Sequence, residues 1–287
     1  MPCNAEILLL GTGVVGSAFL EIVRGRLSSR LRIVGVANSR GLALGSATEP
    51  FEVGADALAE VLARPRSATP VRIDDDVLDR LAARNQGILV DATAEDGMGE
   101  LYERALARGI HVVTANKKPL SGPYAERERL FDPDGRGGRA NFRYEATVGA
   151  ALPIIETLKN FVRTGDRVKS IDCVLSGTLG FLCNAIADGT PLSRAIAIAR
   201  ERGFTEPDAR EDLAGTDVAR KAVILAREIG ARIERTDVSL EPFIPLDVVA
   251  SSTPETLEHD ISKLDAKFAA NAERLRRRNE KLVYLAL

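Results

Sequence analysis

Ala5-Glu6-Ile7-Leu8-Leu9-Leu10-Gly11-Thr12-Gly13-Val14-Val15-Gly16 decides how the first half of the chain is read. Ala5 to Leu10 is a short apolar run of the kind that forms a buried strand. It breaks at a G-x-G-x-x-G and continues as a helical pattern through Arg26. In such a turn the first glycine makes the tight bend and the second lets backbone approach a pyrophosphate. The third lets helix pack close to strand. The anion then sits at a helix N-terminus, where free N–H groups and the dipole favour negative charge. The same glycines also suit a purely structural strand-to-helix turn. The flanking strand and helix favour a dinucleotide cradle built from Gly11, Thr12, Gly13, Val14, Val15 and Gly16.

Working outward, a second strand is expected over Leu31 to Ala37, followed by Asn38-Ser39-Arg40. Enzymes selective for NAD usually place a carboxylate here for the ribose 2′-hydroxyl. This chain offers Arg40, a partner for a 2′-phosphate, so NADP(H) is preferred over NAD(H); a solvent-facing loop role for Arg40 stays open. Gly41 to Ala55 reads as a loop, with helical spacing around Ala57–Ala63 and Val77–Ala83. Ile88-Leu89-Val90 and His111-Val112-Val113-Thr114 read as further strands with a helix, Leu101 to Arg108, between them. Strands alternating with helices predict a doubly wound parallel sheet of Rossmann type, with ligands at the carboxyl ends of its strands. Thr93 follows one such end and either meets the nicotinamide or caps the next helix. Lys117 follows another, as a lysine of the same crevice or as a surface residue before Pro119. Residues 132–139 form a dense turn cluster. Ala140 to Tyr144 is expected as a strand and Ile154 to Val162 as a helix. The domain change falls near residue 150, giving a dinucleotide-binding domain over 1–150 and a mixed α/β substrate and dimerisation domain over 151–287.

In the second half, Arg167 to Leu175 and Lys281 to Tyr284 read as strands. Pro191 to Arg202 reads as a helix with proline in its first turn, and Leu257 to Arg278 as one amphipathic helix. Gly203 to Lys221 is the most charged stretch, holding Glu206, Asp208, Glu211, Asp212 and Asp217 beside Arg210, Arg220 and Lys221. Asp217 and Lys221 share a helical face at four residues' spacing. Periodicity sets them, with Glu228, opposite Val218, Ala222, Leu225, Ala226 and Ile229, which fits a solvated ion pair and does not exclude a polar cleft wall.

The totals bound the rest. A chain of 287 residues with 45% hydrophobic and 28% charged residues is globular in composition. A formal net charge of −2 draws it to neither nucleic acid nor membrane. Its first apolar run is too short for a secretory signal, and no stretch reaches the ~20 apolar residues of a membrane helix. Three unpaired cysteines suit a reducing cytoplasm. With two histidines and no Cys/His cluster, zinc is not expected and acid–base work falls to Lys, Asp, Glu or Tyr.

The runs Gly11–Gly16, Thr114–Lys117, Tyr144–Pro153, Ser176–Leu179 and Gly203–Lys221 resemble the motifs of homoserine dehydrogenase, in the same order and at similar separations. Thr-Glu-Pro-Asp-x-Arg-x-Asp-Leu followed by Asp-Val-x-Arg-Lys is the most specific of them. The longer tail is similar to the dehydrogenase half of bifunctional aspartokinase–homoserine dehydrogenases. The resemblance implies NADP(H)-dependent interconversion of L-homoserine and L-aspartate 4-semialdehyde, on the route to threonine, methionine and isoleucine, by a homodimer. It implies Lys117 and Lys221 at the reacting carbonyl, with Asp217 set against Lys221. Glu206 and Asp212 would hold the amino-acid end of the substrate, and Gly177 and Thr178 would line its turn. Main-chain carbonyls of Glu145, Val148, Ala150 and Leu152 would hold a monovalent cation, usually sodium. Two departures stand out: Ala151 where the family usually has glycine, and an end at Leu287 where family members continue back to the cofactor domain. The second sets a rival expectation, a chain that binds cofactor without turnover; a semialdehyde reductase of other specificity is a third.

Overall fold

The computed structural model describes residues 5–28, 30–45, 55–64, 72–83, 86–131, 140–205, 209–253 and 256–287. The chain divides into two compact units, residues 1–156 and 157–287.

The first unit is built on a six-stranded sheet. Its strands are β1 (Ala5–Leu10), β2 (Leu31–Asn38), β3 (Gly41–Leu44), β4 (Gly87–Asp91), β5 (His111–Thr114) and β6 (Phe142–Arg143), in the spatial order β3-β2-β1-β4-β5-β6. All neighbours are parallel except β3, which turns back antiparallel on β2. Gly41 to Leu44 was expected as loop. Its pairing with Gly35–Asn38 supplies the ladder that local composition does not advertise. The strand expected over Ala140–Tyr144 is confined to the two residues of β6.

β1 is buried throughout, and its alternate residues feed two cores. Leu8 and Leu10 join Val34, Leu89 and Val112 with Val77, Leu78 and Leu81 of α3 (Asp75–Ala82) and Tyr102, Ala105 and Leu106 of α4 (Met98–Ala107). Ile7 and Leu9 join Ile33 and Val36 with Leu20 of α1 (Val14–Ile22) and Val61 of α2 (Ala55–Ala63). Apolar residues on both faces of a strand require cover on both sides, which makes the sheet doubly wound. The α/β fold class expected from the sequence is the one found. Around β1 the connections run first to β2 on one side and then to β4 on the other, so the switch point of the sheet lies at the ends of β1 and β4. Register sets Leu10 beside Ala37 and Asp91, and Asp91 beside Thr114, so the chain leaves β1, β2, β4 and β5 along one edge. Short helices α5 (Lys118–Ser121) and α6 (Tyr124–Arg129) follow β5, and the division between the units falls within α7 (Ile154–Arg163).

The second unit packs α8 (Gly177–Ala187), α9 (Leu192–Glu201), α10 (Arg210–Leu213), α11 (Thr216–Glu228), α12 (Leu246–Ser251), α13 (Leu257–Ser262) and α14 (Asp265–Arg277). Leu192, Ala195, Ile196 and Ala199 recur at helical spacing along α9 and are buried with Leu179, Leu182, Leu213 and Ile261. The strands expected at Arg167–Leu175 and Lys281–Tyr284 are not formed; one antiparallel bridge pairs Cys173 with Ala286, past the second stretch, with N–H···O distances of 3.0 and 2.9 Å. Two extended segments without a third partner form a marginal ladder. The single helix expected over Leu257–Arg278 is two, broken where the Asp265 carboxylate accepts from Ser193 N (2.8 Å) and Ser193 Oγ (2.6 Å) at the start of α9. No helix among the described residues is long and apolar enough to cross a membrane.

Candidate active site

In the first unit the glycine turn follows β1. Gly11 has φ +90°, a left-handed conformation that favours glycine, and a Cβ there would lie 2.9 Å from the Ala92 carbonyl oxygen. A Cβ at Gly16 would come within 2.0 Å of the Gly11 carbonyl oxygen, so α1 crosses the turn at a distance only glycine permits. Gly13 differs: its φ of −71° suits any residue, and a Cβ there meets nothing within 4 Å. Its lack of a side chain answers no demand of the protein interior. It leaves the N-terminus of α1 open, with no side-chain cap and with Val14 90% and Val15 58% exposed. Those features fit the phosphates of a dinucleotide.

Asn38 ends β2, the place where NAD-selective enzymes carry an acid. Its Nδ2 donates to Thr12 Oγ1 (2.9 Å) and its Oδ1 accepts from Arg40 N (2.7 Å), so the end of β2 is tied to the glycine turn. Arg40 is exposed, and its guanidinium donates to the Leu62 carbonyl at the end of α2. A guanidinium has five N–H donors, so that tether leaves others for an anion.

Beyond β4, Thr93 N donates to Asp91 Oδ1 (2.7 Å) and Thr93 Oγ1 accepts from Glu95 N (3.3 Å). The N-cap of α4 is Gly97, so Thr93 does not cap that helix and instead shapes the loop before it. Lys117 is half-buried and precedes α5, where Ser121 Oγ donates to its carbonyl (2.9 Å). Its neighbour Lys118 is paired with Asp96 (2.8 Å). Sequence reasoning missed the buried group beneath these loops, formed by Asp91, Tyr102, Thr114 and Asn116. The only sequence signal was a polar residue ending each of two apolar strands.

The loop expected to hold a cation runs from Glu145 to Leu152. Gly149 and Ala150 have φ of +86° and +53°. The Glu145 carboxylate accepts from Ile155 N (2.9 Å) and Glu156 N (3.0 Å), capping α7. The Leu152 carbonyl accepts from Ile154 N (2.9 Å), which leaves it one lone pair.

In the second unit, Ser176 Oγ caps α8 by accepting from Leu179 N (3.0 Å). Gly177 opens that helix, and a Cβ on it would meet nothing within 4 Å. The Thr178 hydroxyl donates to the Phe204 carbonyl (2.6 Å), holding the end of α9 and the turn after it. Asp212 is half-buried in α10. Glu206 lies outside the described residues. Lys221 and Asp217, one turn apart on α11, pair at 2.7 Å, and Lys221 Nζ also donates to the Leu175 carbonyl (2.7 Å). Their side chains are 18% and 26% exposed, so the polar stripe of α11 is covered by the segment ending at Leu175 and is no freely solvated ion pair. Two of the three ammonium protons are held by these acceptors, and the third remains for another oxygen. The N-cap of α11 is Gly215 at φ +74°, and a Cβ there would lie 2.2 Å from the hydroxyl of Tyr284, which donates to Glu241 O (2.6 Å).

A glycine turn at the switch point of a doubly wound sheet, with an uncapped helix start beside it, defines a dinucleotide-binding α/β protein. Residues 11–142 match the family model "Homoserine dehydrogenase, NAD binding domain", and residues 153–285 match "Homoserine dehydrogenase". The homoserine dehydrogenase of Saccharomyces cerevisiae is 33% identical over 267 residues, 91% of this chain and 73% of the yeast protein. The chloroplastic bifunctional aspartokinase/homoserine dehydrogenase 2 of Zea mays is 34% identical over 271 residues, 91% of this chain and 29% of that protein. Among solved structures, a hyperthermophilic archaeal homoserine dehydrogenase in complex with NADPH superposes with a TM-score of 0.59 at 26% identity, covering 78% of this chain and 69% of that one. The chain belongs to the homoserine dehydrogenase family of NAD(P)-dependent oxidoreductases. It spans less than a third of the length of the plant bifunctional relatives it matches.

Proposed function

We infer that the chain interconverts L-homoserine and L-aspartate 4-semialdehyde with NADP(H), the step its family name describes, within synthesis of threonine, methionine and isoleucine in the cytoplasm. The observation that carries this reading is Lys221, largely buried and aligned by Asp217 and the Leu175 carbonyl, with one N–H to spare. The nicotinamide, when bound, supplies or accepts the hydride. Gly11 to Gly16 receive the pyrophosphate, Arg40 a 2′-phosphate, and Thr93 and Lys117 border the nicotinamide. As the aldehyde carbon gains hydride its oxygen needs a proton. Lys221 gives it in that direction and takes it back in the other, the service of a positioned general acid–base group. Asp217 orients the ammonium. Glu206 and Asp212 hold the substrate's ammonium group, and Gly177 lets its backbone approach.

A monovalent cation on the carbonyls of Glu145, Val148, Ala150 and Leu152 belongs to the same proposal, with the lone pair left on Leu152 in its support. So do assembly as a homodimer and an aspartokinase domain joined to related chains. NADPH in the archaeal structure supports the choice of cofactor. The test is NADP⁺ reduction by this chain with L-homoserine at alkaline pH, with sodium or potassium present. Turnover with NADP⁺ exceeding that with NAD⁺ is expected. NADPH binding without homoserine oxidation would instead favour a chain that only binds cofactor.

A further inference from the structure

Beneath the loops that carry Thr93 and Lys117 lies a buried hydrogen-bond chain with one direction. Asn116 N donates to Thr114 Oγ1 (2.9 Å), Thr114 Oγ1 and the Tyr102 hydroxyl are 2.9 Å apart, and that hydroxyl donates to Asp91 Oδ2. Because the Tyr102 proton is committed to Asp91, the Thr114 hydroxyl must donate to Tyr102. Every proton in the chain therefore points toward the Asp91 carboxylate. Asn116 Nδ2 reaches the same carboxylate at 3.4 Å and the Glu95 carbonyl at 2.9 Å, while Asp91 Oδ1 takes Thr93 N. Tyr102 is 0% and Asp91 1% exposed. Burial, with the Asp91 charge beside it, holds the Tyr102 phenol well above its ordinary pKa, so it remains a donor.

A core alone does not call for this arrangement. Phenylalanine would fill the space of Tyr102 among Leu106, Val112 and Phe142 without polar atoms to satisfy. What the hydroxyl adds is a link from α4 to the ends of β4 and β5 at once. Thr93 N, at one loop, holds the Asp91 carboxylate directly, and through Thr114 and Tyr102 the backbone of Asn116, next to Lys117 on the other, is referred to that same carboxylate. Resting on the reading under Proposed function, we propose that Asp91 and Tyr102 are positioning residues for the nicotinamide side of the site, fixing the loops of Thr93 and Lys117 through Thr114 and Asn116.

The experiment compares Tyr102→Phe, Thr114→Val and Thr114→Ser with the wild-type chain, reading kcat and KM for L-homoserine, NADPH affinity by fluorescence, and amide hydrogen exchange. Tyr102→Phe and Thr114→Val should lower kcat by about 10- to 100-fold, as a loop displaced by an ångström does. NADPH affinity, set at Gly11–Gly16, should change little. Exchange should quicken over 92–97 and 114–118 and not over 5–16. Thr114→Ser keeps the hydroxyl and should lose far less than Thr114→Val. A Tyr102→Phe protein that melts earlier yet keeps wild-type kcat and exchange in both loops would reduce the network to a structural one and overturn the proposal. Absence of homoserine turnover by the wild-type chain would remove the proposed function, and this inference with it, whatever the variants do.

Discussion

Gly13 and Gly16 belong to one turn, and replacing each by alanine should have opposite effects on folding. At Gly16 the new Cβ falls 2.0 Å from the Gly11 carbonyl oxygen. Carbon and carbonyl oxygen approach to about 3.3 Å at closest, so α1 or the turn must yield by more than about 1 Å. Overpacking of this kind costs about 1–3 kcal/mol, and both partners here are backbone, which argues for the upper end. Alanine's advantage within a helix returns about 0.5–1 kcal/mol. The net loss of about 2 kcal/mol should lower the melting midpoint by about 4–8 °C. At Gly13 nothing stands within 4 Å and φ is −71°. Alanine there should leave stability unchanged or raise it by about 0.4–1 kcal/mol, by restricting the unfolded chain. Its methyl group would instead occupy the approach of the pyrophosphate. Losing a charge-assisted backbone hydrogen bond costs about 1.5–3 kcal/mol, or about 10- to 100-fold in Kd. Fluorescence titration with NADPH and a thermal melt on the same samples separate the two effects. Wild-type NADPH affinity in Gly13→Ala would falsify the cradle and leave a structural turn.

Lys221→Met removes the ammonium held by Asp217 and the Leu175 carbonyl. Turnover should fall by about 10²–10⁴-fold with NADPH affinity nearly intact, and a loss below about tenfold in steady-state assays would move the proton transfer to Lys117. Gly215→Ala should destabilise by about 1–2 kcal/mol from its left-handed φ alone, with more from the Tyr284 hydroxyl 2.2 Å away. In denaturant melts Tyr284→Phe should relieve part of that loss in the double variant, and strict additivity would place the whole cost in the backbone.

What was legible in the sequence was whatever repeats locally. The run Ala5–Leu10 and its glycine turn, the strands near residues 88 and 111, and the periodic helices α9 and α11 each carry their own pattern of apolar residues. That was enough for a doubly wound sheet and for the edge where ligands gather. The motif residues were legible as types at spacings. Less legible was anything decided by a partner distant in the chain. Gly41–Leu44 is a strand because β2 lies beside it, and Leu257–Arg278 is broken because Asp265 is drawn to Ser193.

The same division runs through the candidate site. Sequence alone determined that Asp217 and Lys221 share a helix face, since four residues make about one turn. Only the tertiary structure decided that this face is covered, because the Leu175 carbonyl that covers it lies 46 residues earlier. Sequence determined three glycines in a turn. Structure separated Gly11 and Gly16, held by close contact, from Gly13, which faces open space. The buried chain from Asn116 to Asp91 had no signal beyond the polar ends of two strands, since Asp91, Tyr102 and Thr114 lie 11 and 12 residues apart in turn and meet only when parallel pairing sets Asp91 beside Thr114. Local spacing fixes which residues can share an element. Desolvation, hydrogen bonding and close approach depend on which elements meet, and that is settled only when the whole chain packs.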